Sequence, residues 1–100
     1  MTGEACLITD PSQFASMRPG KIIVAKITTP AYTPLFAMAS AVVTDVGGPL
    51  SHSSIVAREY GIPAVLGTGV ATQRISDGQI ITVDGTSGLV LLEETGSVTQ

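Results

Sequence analysis

The chain has no tryptophan, one cysteine, 4% aromatic residues and 13% charged residues. Each shortage excludes something. With Cys6 alone there is no intrachain disulfide and no Cys-x-x-Cys metal pair, and Cys6 itself reads as a small core residue. One histidine and no cysteine cluster make a weak case for a metal site, and none is expected. The cations Arg18, Lys21, Lys26, Arg58 and Arg74 form no run and the net charge is −3, so nucleic acid has little electrostatic footing. No apolar stretch reaches the roughly 18 residues that a membrane-spanning helix needs. No basic segment precedes an apolar one at the N-terminus, so no secretory leader is read there. The expected setting is the reducing cytoplasm.

What is present is apolar: 44% of the 100 residues are hydrophobic. That is one domain's worth of chain, able to bury about two-thirds of its unfolded surface. The low charge suggests that other domains cover part of it. The expected boundaries are a domain over 1–93 and a solvated tail over 94–100.

Short strands alternate with short helices. The spacing predicts strands at Ala5–Thr9, Ile22–Ile27, Ala41–Thr44, Pro63–Leu66, Gln79–Val83 and Gly88–Leu92. Asp10 reads as an N-cap, with Pro11 in the first helical position and Gln13 placed for a capping box, ahead of a helix to about Met17. Thr28-Thr29-Pro30 closes the second strand, and Thr33-Pro34 starts a helix over Leu35–Ala39. A further helix runs from Ser51 to Tyr60, with Gly61 and Pro63 ending it. A helical turn follows at Val70–Gln73, and Asp84-Gly85 turns the last two strands into a hairpin. Strand–helix alternation in the middle implies parallel pairing, and the end is antiparallel. The fold class is mixed α/β with more than one sheet layer.

His52, the only histidine, falls in the first turn of the helix that follows Gly47-Gly48. A helix N-terminus offers unpaired N–H groups and a partial positive charge. Both favour an anion there and disfavour an imidazolium. A neutral imidazole is a nucleophile, and a phosphoryl group on it would lie where the helix stabilises it. Gly47 and Gly48 would let a phosphate donor approach the backbone. Ser51, Ser53 and Ser54 supply hydroxyls for the ring or for phosphate oxygens, and Arg58 is a candidate phosphate contact. The plainer reading of each is a capping histidine, an ordinary turn, ordinary caps and a solvated helix face.

The run GGPLSHSSIVAREYGIPAVLGT resembles the phosphohistidine motif of the PEP-utilising enzymes, such as phosphoenolpyruvate synthase, pyruvate phosphate dikinase and rifampicin phosphotransferase. Gly47, Gly48, Ser51, His52, Ile55, Val56, Ala57, Arg58, Glu59, Gly61, Ile62, Pro63, Ala64, Val65 and Gly67 match it. Thr29-Pro30, Thr33-Pro34-Leu35-Phe36 and Val83-Asp84-Gly85 with Gly88 resemble the synthase and rifampicin-phosphotransferase branch. The resemblance implies a swivelling three-layer β/β/α domain whose histidine takes a phosphoryl group from a nucleotide or phosphoenolpyruvate site and delivers it to a second one. It implies no cofactor in this domain itself, with Mg and ATP or phosphoenolpyruvate in partner domains, one binding nucleotide and one binding substrate. Leu50 stands where many members carry a regulatory threonine, so that regulation is not expected, and Ser54 stands where alanine is usual. A structural or regulatory module of the same fold is the competing reading. Pro49, Leu50 and Ile55 are the apolar residues expected to face a docking partner.

Overall fold

The computed structural model describes residues 1–48 and 50–92, so the tail expected over 94–100 and the side chain of Pro49 lie outside the described residues. The strands are β1 (Thr2–Ile8), β2 (Ile22–Ala25), β3 (Ala41–Thr44), β4 (Ala64–Val65), β5 (Ile80–Asp84) and β6 (Leu89–Leu92). They run in the order β4-β3-β2-β1-β5-β6. β1 to β4 pair in parallel, and β5 and β6 join antiparallel, as the alternation pattern requires.

β1 is longer than the Ala5–Thr9 expected because it serves two ladders. Thr2–Glu4 pair with β5, and Ala5–Ile8 pair with β2. β2 is shorter than expected: it stops at Ala25, and Lys26 and Ile27 are exposed. Every residue of β2 and β3 is buried, which is why those runs show no polar alternation.

Two apolar cores explain the layering. On one face Cys6, Ile8, Ile23, Ala25 and Val42 pack against Tyr32, Leu35, Phe36, Val56 and Ala57 from the helical segments. On the other, Ala5, Ile22, Val24, Ala41 and Val43 pack under Ala71, Ile75, Ile81 and Val83, with Val90 and Leu92 against them. The result is helices, then the parallel strands, then the hairpin: the three-layer β/β/α arrangement.

The helices are α1 (Thr33–Phe36), α2 (His52–Tyr60) and α3 (Ala71–Arg74). The segment after Asp10 is a 3-10 helix over Pro11–Ser16 rather than an α-helix. Asp10 caps it, accepting from the Ser12 amide at 2.8 Å, but Gln13 Oε1 takes the amide of Thr9 at 2.6 Å rather than that of Asp10. The expected capping box is therefore shifted by one residue. Pro30, expected to close the second strand with Thr28 and Thr29, instead opens another 3-10 turn, Pro30–Tyr32, that runs into α1. It buries Tyr32, whose ring meets Phe14 edge-on at 4.8 Å.

Candidate functional site

α2 begins at His52 because Ser51 sits before it in extended conformation and caps it. Ser51 Oγ accepts from the Ser54 amide at 3.3 Å and donates to the Gly48 carbonyl at 2.8 Å. One hydroxyl thus satisfies a helix-end N–H and fixes the helix to the loop before it. Gly47 has φ +144, a region that side chains rarely enter, and a Cβ there would lie 3.2 Å from Ser51 Oγ. Its carbonyl lies 2.8 Å from where a Cβ of Gly67 would stand, so the two loops pack backbone on backbone.

A second clamp holds the same loop. Asp45 Oδ1 accepts from the Thr72 amide at 3.0 Å and Oδ2 accepts from Thr72 Oγ1 at 2.5 Å. Thr68 Oγ1 donates to the Thr44 carbonyl at 3.1 Å, and the Gly69 amide donates to the Asp45 carbonyl at 2.9 Å.

His52 is partly buried at the head of α2. Its Nδ1 is 2.9 Å from Thr28 Oγ1, and Phe36 meets the imidazole edge-on with ring centres 6.1 Å apart. Thr28 Oγ1 is in turn 2.5 Å from Ser53 Oγ. Thr28 is 3% exposed and Ser53 is 1% exposed, so this hydroxyl pair is shielded from water. Nε2 has no hydrogen-bond partner among the described residues. The ring is therefore held at one nitrogen and against Phe36.

Thr28 reaches His52 because β2 ends early. The Lys26 carbonyl still takes the Val46 amide at 2.9 Å, and the two residues that follow alternate out and in. Ile27 is 50% exposed, and Thr28 turns inward under α2.

The sequence-identified residues separate into groups. Ser51 ties the Gly47-Gly48 loop to the helix that carries His52, and Ser53 reaches the histidine only through Thr28. Ser54 and Arg58 stand together: the Arg58 guanidinium donates to Ser54 Oγ at 3.4 Å. Together with Ile62, Pro63, Gly85 and Thr86 they line a separate hollow of about 430 Å³. No bond joins Arg58 to His52 among the described residues. Leu50 is 89% exposed and Ile55 is 45% exposed, flanking the histidine in sequence. Thr28, Phe36 and Asp45 were missed as site residues. The only sequence signal for Thr28 was a hydroxyl just past the end of a buried parallel strand. Among the described residues no group of His, Cys, Asp and Glu could hold a metal ion, and no helix is long and apolar enough to cross a membrane.

The comparisons with known proteins give the family and the fold. The family described as the PEP-utilising enzyme, mobile domain matches residues 17–88. The chain is 56% identical over 89 residues to the uncharacterized phosphotransferase YvkC of Bacillus subtilis (strain 168), covering 89% of this chain and 11% of that one. It is 54% identical over 74 residues to phosphoenolpyruvate synthase of Aeropyrum pernix, covering 74% of this chain and 9% of that one. Rifampicin phosphotransferase of Streptomyces sviceus is 46% identical over 88 residues, 88% of this chain and 10% of its own. The solution structure of an Enzyme I protein superposes with a TM-score of 0.67 at 35% identity, over 78% of this chain and 32% of that one. The chain thus spans about a tenth of the length of these curated relatives. On the family match, the sequence identities and the shared fold, the chain belongs to the PEP-utilising enzyme mobile-domain family.

Proposed function

We propose that the chain is the phosphoryl carrier of a larger phosphotransferase, with His52 Nε2 as the transient acceptor. The observation that carries this is the held imidazole: Nδ1 is engaged by buried Thr28, while Nε2, at a helix N-terminus, has no partner among the described residues. As Nε2 attacks, the N–P bond forms and the bond from phosphorus to the donor oxygen breaks, its electron pair leaving with that oxygen. The second transfer reverses this at another site. The donor is a nucleotide-bound or phosphoenolpyruvate-bound domain with Mg. The acceptor is pyruvate or an antibiotic-like molecule in a substrate-binding domain.

The test is intact-mass measurement after incubation with the donor domain and ATP, or with phosphoenolpyruvate. One phosphoryl group should be added, labile in acid and stable in base. His52→Ala should abolish uptake and leave the fold in place, because a partly exposed first-turn residue contributes little packing. Equal labelling of the alanine variant would move the acceptor elsewhere.

A further inference from the structure

Ser53 does not cap α2; Ser51 does. The Ser53 hydroxyl points instead to Thr28, at 2.5 Å, in a place that water does not reach. A hydroxyl has one proton and two acceptor lone pairs. If Thr28 gives its proton to Ser53, it can show Nδ1 only a lone pair. Nδ1 must then carry the ring proton, and Nε2 keeps its own lone pair. If Thr28 aims its proton at Nδ1, the ring proton moves to Nε2 and the nucleophile is lost.

We propose that Ser53 is a positioning residue: it takes the proton of Thr28 and so fixes His52 as the Nδ1–H tautomer. This rests on the carrier reading of His52. Burial makes the choice sharp, because no water competes for the Thr28 hydroxyl.

The same bond serves both directions of transfer. When Nε2 bonds to phosphorus, the leaving group departs with its electron pair and the ring becomes positive. The Nδ1 proton stays on the ring, held by Thr28 Oγ1. On the way out the N–P electrons return to a ring still protonated at Nδ1, which makes it a good leaving group. Ser53 acts only through Thr28, so its effect must vanish when Thr28 has no hydroxyl.

The experiment uses the chain and phosphoramidate, a small phosphoryl donor that needs no partner domain and releases ammonia. His52 is the only histidine, so its imidazole ¹⁵N signals need no assignment by mutation. At a pH where the ring is neutral, the wild-type protein should show a protonated Nδ1 and a bare Nε2. Ser53→Ala should give a tautomer mixture and slow phosphorylation by about tenfold, equivalent to about 1.4 kcal/mol of barrier. Thr28→Val should slow it at least as much, and Ser53→Ala added to Thr28→Val should cost nothing further. Ser53→Cys, close in size and a weaker acceptor, should fall between wild type and alanine, and it replaces alanine if that variant does not fold. A wild-type ring protonated on Nε2 would overturn the proposal. So would an unchanged tautomer and rate in both Ser53 variants, or a full Ser53 effect in the Thr28→Val background. Wild-type protein that takes no phosphate at His52 would sink the carrier reading instead, and the tautomer measurement would still judge Ser53.

Discussion

The parallel strands and the C-terminal hairpin are built from similar residues but make different use of them. Ile22–Ala25 and Ala41–Thr44 are buried at every position, with a core on each face. In the hairpin, Ile81 and Val83 are buried, while Leu89 and Leu91 are more than half exposed. The hairpin covers one face of the sheet, and Leu89 and Leu91 stand exposed on its own outer face. A buried parallel strand cannot move without disturbing two cores, which makes it a suitable mount for a reactive side chain. The site accordingly grows from the carboxyl end of β2 and the loop after β3.

That contrast is open to test. The largest expected effect comes from cutting the mount: Ile23→Ala should destabilise by about 2–5 kcal/mol, because it opens a cavity between two packed layers. Leu91→Ala on the outer face of β6 should stay within about 0.5 kcal/mol. Chemical denaturation of the two variants side by side measures both. Equal losses would mean that the hairpin is as tightly built as the sheet.

A change beside the histidine should separate transfer from stability. Leu50 has little reason to face water unless a partner covers it. Leu50→Asp should slow phosphoryl transfer from the donor domain while changing thermal stability by less than roughly 1 kcal/mol. Unchanged transfer kinetics would remove the apolar edge of this loop from the docking surface.

The smallest effect concerns pH. Asp84 accepts the amides of Thr86 and Ser87 at the hairpin turn, at 3.0 and 3.2 Å. The Ser87 hydroxyl first, then the two amides, hold its carboxyl below the ordinary value of 3.8. A depressed folded-state value means stability that is present above the unfolded carboxylate value of about 3.9 and lost as the pH falls through the folded one. Thermal melts on the acid side of that value should show a slightly shallower loss for Asp84→Asn than for wild type. Identical acid profiles would mean that the turn contributes nothing by this route.

Much of this was legible in the sequence because it is local. Ser51 as the cap, the helix to Tyr60, the parallel middle and the hairpin end all follow from residues near one another. Boundaries shifted where a distant partner decided them: Thr2–Glu4 became strand because β5 pairs with them, and Lys26-Ile27 left the ladder to bring Thr28 inward. Thr28 and His52 are 24 residues apart in sequence, and no periodicity links them. The same holds for Asp45 and Thr72, which are 27 residues apart. A linear motif marks His52, but not the residues that hold its ring.

The change of partner along β1 also bears on the order in which the chain assembles. Thr28, Phe36, Ser51, His52 and Ser53 all fall between β2 and the first turn of α2, so the closures that join them are much shorter than the one that pairs β1 with β5. Thr2–Glu4 instead pair with Ile80–Thr82, across most of the chain. Loop closure costs more with length and contacts distant in sequence form later. The histidine and its hydroxyl partners can therefore come together while the first residues of β1 still wait for their strand.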